Sequence, residues 1–259
     1  CALPIWLGSE VVVLEGARVL GRDDPEAAAV VRDRLRAEGV EIREGTKATS
    51  VGGTSGTTTV TLEDGTTVEG SHLLVAVGRR ASVEGMGLEA ADVAFTERGV
   101  TVTKGLRSVS NRRVYAVGDA AGGMQFTHLA GYHAGLVIRA ALFRLPVTAR
   151  TDHIPRTTYT EPELAQVGMT EAEARAAGGA VEVVRADFSG NDRAQAMRQT
   201  AGFAKVMVGR KGRILGATIV GPQAGELIGV WALAMSAGLK IGAVAGMIAP
   251  YPTLGELNK

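Results

Sequence analysis

The chain has 259 residues, 46% of them apolar and 21% charged, with 8 prolines, so its composition is that of a globular protein and excludes disorder and collagen-like repeats. Its 28 basic residues balance 27 acidic ones without any basic block, which argues against nucleic acid and anionic lipid as partners. A single cysteine, Cys1, excludes a disulfide framework, a cysteine zinc site and a CxxC redox pair within this chain, so a cytoplasmic location is the simplest expectation.

The first elements follow a strand-helix-strand pattern. Glu10–Leu14 is a β-branched apolar run that ends at Glu15, which predicts a buried parallel strand followed by a turn. A helix is predicted next, with Asp24 as its cap, Pro25 at its first position and Gly39 just beyond its end. Its predicted buried face consists of Ala28, Val31 and Leu35.

An extended segment at Val40–Arg43 precedes an alternating stretch, Thr57–Val68, which is centred on Asp64-Gly65. Because Asp-Gly tolerates a positive φ, this stretch predicts a β-hairpin with a two-residue turn. Leu73–Val77 is fully apolar and predicts another buried strand, which leaves the sheet at Gly78. The first domain boundary is predicted there.

The next segment predicts a strand at Val114–Val117, then Gly118-Asp119 and a helix over Thr127–Phe143. It is too small for a core of its own, which indicates the returning part of a discontinuous domain. Three prolines then predict a linker into a third region: Pro146, Pro155 and Pro162.

In the third region, Phe203–Val208 and Ile214–Val220 predict two antiparallel strands joined by a turn at Arg210–Gly212. Helices are predicted over 224–237 and 241–248. The apolar stretch Leu227–Ala237 is too short to span a bilayer, which needs about 20 apolar residues, and no signal peptide is recognisable at the start of the chain. The overall expectation is an α/β protein with an additional α+β unit and no membrane association.

The segment Val114–Ala120 (VYAVGDA) carries the strongest chemical signal. Its apolar strand delivers Gly118 and Asp119 to the edge at which open α/β sheets bind ligands. The glycine allows close approach of a ligand, and the carboxylate can accept from a ribose or ribityl hydroxyl. An ordinary capped turn is the alternative explanation of Gly-Asp taken alone.

Five motifs in order carry a family resemblance: LLVAVGRR, VYAVGDA, TTYTEPELAQVGMTEAEA, GATIVGPQAGELIG and APYPTLGE. Together they resemble the pyridine nucleotide-disulfide oxidoreductases, class I flavoproteins with dihydrolipoamide dehydrogenase and mercuric reductase branches. The resemblance covers nearly the whole chain from about Gly8, whereas Cys1–Leu7 do not match. It implies a carboxy-terminal fragment, because the family's amino-terminal FAD half, its cysteine pair and its first Gly-rich NAD loop would lie before Cys1.

On this resemblance, residues 1–79 are the carboxy-terminal part of a Rossmann-like NAD(P) domain. Residues 80–150 are the returning FAD-binding segment, and residues 151–259 are an α+β dimerisation domain truncated at its carboxyl end. The complete protein is then a homodimeric FAD-dependent NAD(P)H oxidoreductase that passes electrons to a disulfide, a metal ion or another small acceptor. This fragment alone is expected to be inactive.

Two other interpretations stay open. In the first, this chain by itself is a non-catalytic dimerisation and nucleotide-domain fragment. In the second, the protein is a diaphorase or quinone reductase that uses no cysteines. A flavin spectrum of the purified chain and the missing upstream sequence distinguish them.

The predicted cofactor residues come partly from position and partly from the resemblance. Glu15 ends its strand where an acid contacts the adenosine ribose and repels a 2′-phosphate, which favours NAD. Arg18 and Arg22 follow closely and keep NADP open. Gly78 matches a position at which the strand end passes the nucleotide, and a plain turn is its alternative.

By resemblance, Asp119 accepts from the ribityl chain of FAD. The backbone of Thr127, at the start of a helix after Met124–Phe126, faces the flavin, although Thr127 is equally consistent with an ordinary helix cap. Gly118, Asp119 and Thr127 are expected to cluster beside a large cavity. His128 and His133 are five residues apart and do not share a helix face, so no metal site is expected.

The carboxyl end departs from the disulfide-reducing members. Their His-Pro-Thr stretch presents a histidine and a glutamate as acid and base, whereas Tyr251 stands here in place of the histidine and Glu256 remains. Tyr251, with an ordinary pKa of about 10, is no base near neutrality. A tyrosine here resembles mercuric reductase, although that enzyme's carboxy-terminal cysteine pair is absent from this chain. We expect Tyr251 and Glu256 on an ordered loop, with the tyrosine ring projecting outward towards a partner subunit.

Overall fold

Two compact units make up the protein in the computed structural model, which describes residues 3–259. One unit combines Cys1–Leu74 with Asp152–Lys259, and the other is Val75–Thr151. Within the described residues, no helix is long and apolar enough to cross a membrane.

After a short helix α1 (Leu3–Trp6), the chain forms a β-α-β unit. Strands β1 (Val12–Glu15) and β2 (Glu41–Glu44) pair in parallel and are joined by helix α2 (Pro25–Ala37). The carboxylate of Asp24 caps α2 by accepting from the backbone nitrogens of Glu26 and Ala27, at 3.0 and 3.2 Å. The predicted cap, start and apolar face of this helix are confirmed.

A three-stranded antiparallel sheet follows, with strands β3 (Ala48–Thr54), β4 (Thr57–Leu62) and β5 (Thr67–Gly70) in that order. The predicted hairpin around Asp64 is confirmed. Its connection is longer than two residues, because Asp64 accepts from both the backbone and the hydroxyl of Thr66 and so forms a local turn. Strand β3, rich in glycine and threonine, was not predicted.

The prediction of a strand at Leu73–Val77 is wrong for this structure. The segment pairs with no strand among the described residues, and the exposed fraction of Val77 is 94%. A buried parallel strand exists only through the backbone hydrogen bonds of its neighbours, and this segment has none here.

The Val75–Thr151 unit contains a small hairpin, β6 (Phe95–Thr96) with β7 (Gly99–Val100), and one long helix, α3 (Thr127–Ala141). The predicted strand at Val114–Val117 is reduced to a single bridge between Tyr115 and Arg107. The helix predicted over 127–143 ends two residues early. The prediction that this segment has no core of its own is wrong, because six buried side chains pack together within it: Ala81, Val83, Leu88, Val93, Val100 and Ala116.

A five-stranded antiparallel sheet dominates the carboxy-terminal region, with strand order β10-β11-β12-β9-β8. Its elements are β8 (Pro155–Thr158), β9 (Glu163–Gly168), α4 (Glu171–Ala176), β10 (Glu182–Asp187), α5 (Asp192–Met197), β11 (Phe203–Val208) and β12 (Ile214–Gly221). The predicted pair β11 and β12 is confirmed. The predicted linker is wrong at Pro155, which begins β8, and at Pro162, which lies between β8 and β9.

The helix predicted over 224–237 is divided into α6 (Ala224–Leu227) and α7 (Gly229–Ser236), and α8 (Ile241–Ala245) is shorter than expected. Trp231 on α7 is buried, and its indole nitrogen donates to Oδ1 of Asn258 at 2.7 Å. This bond fastens the last 3-10 helix, Leu254–Asn258, to the domain core. The carboxy-terminal loop is therefore held in a defined position.

Candidate functional site

Gly118 begins a 3-10 turn, Gly118–Ala121, that packs directly on α3. Its φ is +56°, and a Cβ added at this glycine would lie 2.7 Å from the Cβ of Ala130. The Gly118 amide donates to Nδ1 of His133 at 3.1 Å. A residue without a side chain is thus required here by both backbone conformation and space.

Asp119 and Thr127 are both exposed, one on this turn and one at the start of α3. The residue before the helix, Phe126, makes no side-chain hydrogen bond to the first turn. Because first-turn amides have no partner within a helix, this end of α3 offers donors to a negatively charged group. A carboxylate on one element and helix amides on its neighbour can therefore face the same ligand.

Arg79 adds a contact that the sequence analysis missed. Its guanidinium Nη2 donates to the backbone oxygen of Gln125 at 2.8 Å, so it holds the loop that leads into α3. Gly78, beside it, is exposed and adopts a φ of +134°. The Gly-Arg motif predicted that the chain leaves the sheet here, but only the structure identifies the loop that the arginine contacts.

One cavity of this unit lies at the other end of α3. A cavity of about 670 Å³ is lined by residues near the carboxyl end of α3, including Ala140 and Arg144, and by Arg107 and Tyr115. Asp119 and Thr127 do not line it. This cavity is therefore not the expected one, because the long helix separates its first turn from its last by many residues, and a large cavity beside Asp119 stays a prediction.

Glu15 lies at the carboxyl end of β1, as its strand position predicted. Its Oε1 accepts from the backbone nitrogen of Ala17 at 2.9 Å and so shapes the loop that follows. The adjacent strand ends at Glu44, which accepts from the amide of Val19 at 2.8 Å. That backbone hydrogen bond is the largest cause that lowers the pKa of Glu44. Two carboxylates therefore hold one loop.

The two arginines that kept NADP open, Arg18 and Arg22, are exposed on this same loop. The backbone oxygen of Arg22 accepts from Arg156 at 3.3 Å, whereas its side chain points to solvent-accessible surface. Both charges are thus available to an incoming phosphate.

Tyr251 and Glu256 line one cavity of about 390 Å³ in the carboxy-terminal region. The exposed fraction of Tyr251 is 71%, which confirms the expected outward projection of its ring. Its hydroxyl donates to Oδ2 of Asp192 at 2.9 Å. The hydrogen bond to this carboxylate and its negative charge raise the pKa of Tyr251, so the phenol is protonated at neutral pH.

Glu256 has a structural contact at the same place. Its Oε2 accepts from the backbone nitrogen of Thr253 at 3.3 Å and caps the last 3-10 helix. The side chain of Asn191 donates to the oxygen of Thr253 at 3.1 Å and also caps α5. The loop that carries Tyr251 is therefore fixed by hydrogen bonds on both sides.

Asp192 was not among the predicted site residues. A sequence signal for it exists, since Asn191 followed by Asp192 is a typical helix start, but nothing local indicates that this helix meets Tyr251. In the described part of the chain, no group of three or more His, Cys, Asp or Glu side chains has the arrangement of a metal site.

Two family models match this chain. The model described as pyridine nucleotide-disulphide oxidoreductase matches residues 3–134, and the model of the corresponding dimerisation domain matches residues 154–259. The expectation that residues 1–7 lie outside the family is therefore wrong from residue 3 onwards. Cys1 and Ala2 lie outside the described residues.

Among curated proteins, a dihydrolipoyl dehydrogenase of Bacillus subtilis (strain 168) is 33% identical over 255 residues, which cover 96% of this chain and 55% of that protein. A dihydrolipoyl dehydrogenase of Staphylococcus aureus is 34% identical over 258 residues, with 97% and 54% covered. This chain thus spans about half the length of the curated relatives it matches.

Solved structures agree over almost the whole chain. LpdA from Mycobacterium tuberculosis matches with a TM-score of 0.91 at 29% identity, over 98% of this chain and 56% of that one. The Cu(II) complex of the HOCl-induced flavoprotein disulfide reductase RclA from Escherichia coli matches with a TM-score of 0.89 at 29% identity, over 98% and 58%.

Proposed function

Because this chain belongs to the pyridine nucleotide-disulphide oxidoreductase family, we propose that the complete protein is an FAD-dependent enzyme that takes electrons from a nicotinamide nucleotide and passes them to a small acceptor. The flavoprotein RclA and the dihydrolipoyl dehydrogenases among its matches support this activity. Bound FAD would supply the two-electron transfer between nucleotide and acceptor.

The observation that carries the proposal is the packing of Gly118 on α3. It places Asp119 beside a helix that starts without a side-chain cap. Asp119 would accept from ribityl hydroxyls of FAD, and the backbone of Thr127 would donate towards the pyrimidine edge of the flavin. A Cβ at Gly118 would meet Ala130 of α3, so the glycine is needed to keep this turn, and Asp119 with it, against the helix.

Flavin content tests this proposal directly. The complete protein, purified without added cofactor or after incubation with FAD, is expected to show flavin absorption bands that persist through gel filtration. A complete protein that stays colourless after incubation with excess FAD would contradict the assignment.

We propose NAD rather than NADP as the nucleotide, because Glu15 lies at the strand end where an acid would accept from the ribose hydroxyls and repel a 2′-phosphate. Gly78 would let the chain pass close to the nucleotide. The exposed Arg18 and Arg22 are the groups that would favour NADP.

Glu15→Ala is expected to lower the NADH over NADPH ratio of kcat/KM by about tenfold, because both the hydrogen bond and the repulsion of the phosphate are lost. Steady-state kinetics with both nucleotides measure the ratio. Glu69→Ala, which removes an exposed acid on β5, is the matched control and should leave the ratio unchanged. A wild-type preference for NADPH would instead make Arg18 or Arg22 the deciding residue.

Tyr251 and Glu256 are proposed to act on the acceptor at the partner subunit of a homodimer. The match to the dimerisation domain over residues 154–259 supports this assembly. While its one O–H donates to Asp192, the protonated phenol can accept a hydrogen bond or offer its oxygen as a ligand, but it cannot serve as a base near pH 7. The acceptor classes that stay proposed are a disulfide, a metal ion or another small acceptor.

Tyr251→Phe is expected to lower kcat with the true acceptor by about tenfold, the effect of one lost hydrogen bond, while NADH oxidation by an artificial dye is unchanged. The dye takes electrons from the flavin without using the phenol. Tyr159→Phe, at a tyrosine whose exposed fraction is 78%, is the control. If Tyr251→Phe left turnover unchanged with every disulfide and metal acceptor tested, the Tyr251 hydroxyl would have no catalytic role.

A further inference from the structure

His133 is a buried titratable side chain that the proposed electron transfer does not use. Only 5% of its surface is exposed, and it lies on the face of α3 that also buries Leu129 and Leu136. Its ring centroid is 5.8 Å from that of Tyr132. Its one hydrogen bond among the described atoms is the acceptance, through Nδ1, of the Gly118 amide at 3.1 Å.

This hydrogen bond requires the neutral imidazole. Neutral histidine has one acceptor nitrogen, whereas protonated histidine has two donors and no acceptor. After protonation, the N–H of Gly118 and the N–H at Nδ1 would point at each other, and a buried amide would lose its partner. An unsatisfied buried donor is costly, so the turn must then move away from the helix.

The Gly118 turn has little freedom to adjust while it stays on the helix. Its φ of +56° and the 2.7 Å separation between an added Cβ and the Cβ of Ala130 show how closely its backbone approaches α3. The next residue is Asp119. Any movement that frees the Gly118 amide therefore also displaces the carboxylate proposed to hold the ribityl chain.

The ionisable groups on the elements packed around His133 are few: Asp119 on the 3-10 turn, His128, Tyr132 and Arg139 on α3, and Arg150, whose backbone nitrogen donates to the Tyr132 hydroxyl at 3.1 Å. None of them determines the charge of His133. Burial lowers the pKa of His133, so the imidazole is neutral at pH 7.

The lowered pKa of His133 determines the pH range in which its hydrogen bond stabilises the turn. Above the ordinary histidine pKa of about 6.5, the side chain is neutral in folded and unfolded protein alike, and its hydrogen bond contributes fully. As the pH falls through the lower pKa of the folded state, protonation removes that contribution. The effect is therefore expected on the acidic side of pH 6.5.

We propose that His133 is a positioning residue that holds the Gly118–Asp119 turn on α3 only while its imidazole is neutral, so that FAD binding weakens when acid protonates the imidazole. This rests on the proposed function, because the ligand released is the FAD assigned to Asp119. The hydrogen bond between His133 and Gly118 is independent of that assignment.

The test compares the complete protein with two variants at pH 7.5 and 4.5, using FAD itself as the probe in apoprotein titrations followed by flavin fluorescence. His133→Asn places a non-titrating oxygen near the position of Nδ1, and His133→Leu removes the acceptor. The wild-type Kd is expected to rise by about tenfold between pH 7.5 and 4.5, and that of His133→Asn by less than about threefold. His133→Leu should bind weakly at both pH values.

His72→Asn serves as the matched control, because His72 is exposed and lies outside the proposed flavin site. It should reproduce the wild-type pH dependence. If wild type and His133→Asn weaken in parallel as the pH falls, the proposal is overturned.

A second readout needs no flavin. Deuterium exchange of peptides that contain Gly118 is measured in the apoprotein at both pH values and corrected for the intrinsic exchange rate. Wild type is expected to lose protection at pH 4.5, and unchanged protection there overturns the role of His133 even if a variant fails to fold. Loss of protection without FAD binding at either pH would support the role of His133 in the turn and reject the proposed function.

Discussion

Lys205→Met is expected to lower the free energy of unfolding by about 3–5 kcal/mol, since it removes the cation from a buried charge cluster. The exposed fraction of the Lys205 side chain is 7%, and its Nζ lies 3.2 Å from Asp24 Oδ2, 2.9 Å from Glu26 Oε2 and 3.2 Å from Glu171 Oε2. These contacts connect strand β11 to both α2 and α4. Loss of the lysine leaves three carboxylates close together, one of them almost fully buried.

Asp24 makes this cluster costly to break. Its side chain is 3% exposed, and its Oδ1 also caps α2, so its charge cannot turn towards water without uncapping the helix. Burial alone would lower the pKa of Lys205, but the hydrogen bonds to Glu26 and Asp24 outweigh it and raise that pKa. The hydrogen bond from Lys205 lowers the pKa of Glu26, so this part of the stability is present above the ordinary glutamate pKa and is lost as the pH falls below it.

Urea unfolding followed by the fluorescence of Trp231, a buried residue of the same compact unit, measures the effect. Lys47→Met is the matched control. The Lys47 and Glu63 side chains are each 66% exposed and 3.9 Å apart, so its removal should change the unfolding free energy by no more than about 0.5 kcal/mol. Equal effects of the two substitutions would contradict the importance of the buried cluster.

Gly118→Ala is expected to abolish the retention of FAD through purification and to raise the Kd of FAD by at least about tenfold. The new methyl group would lie 2.7 Å from the Cβ of Ala130, and the φ of +56° is itself unfavourable for alanine by roughly 1–2 kcal/mol. Relief of the overlap moves Asp119 away from the first turn of α3. Flavin absorbance per protein and an apoprotein titration measure the loss.

Gly135→Ala is the control for this substitution, because Gly135 lies in α3 with open space around it. Alanine favours a helix over glycine by about 1 kcal/mol, so this variant should keep its flavin and be no less stable than the wild type. Full flavin retention by Gly118→Ala would show that the turn is not part of the flavin site.

Local sequence signals predicted the elements whose caps and hydrogen-bond partners lie nearby in the chain. Helix α2 is specified by Asp24, Pro25 and Gly39, which act within a few residues of its own backbone. The pair β11 and β12 is likewise joined by a short turn and two apolar runs. For such elements, the hydrogen-bond partners lie nearby in the chain, so the pattern contains most of the necessary information.

Elements that depend on distant neighbours were predicted poorly. Strands β8 and β10 are edge strands with few buried side chains, and their pairing with β9 and β11 is set by the sheet as a whole. Leu73–Val77 shows the opposite error, an ideal apolar strand pattern without strand partners among the described residues. Propensity describes a segment, whereas a β-ladder is a property of two segments.

The sequence by itself determined the family, the α/β class and the residue types available for chemistry: Glu15, Gly118, Asp119, Thr127, Tyr251 and Glu256. Only the tertiary structure decided which residues distant in the chain come into contact. Asp192 meets Tyr251 across 59 positions, Lys205 meets Asp24 across 181, and His133 accepts from Gly118 across 15. Hydrogen bonds and ion pairs act over a few ångströms, so their strength depends on the fold that brings distant residues together and removes water from between them.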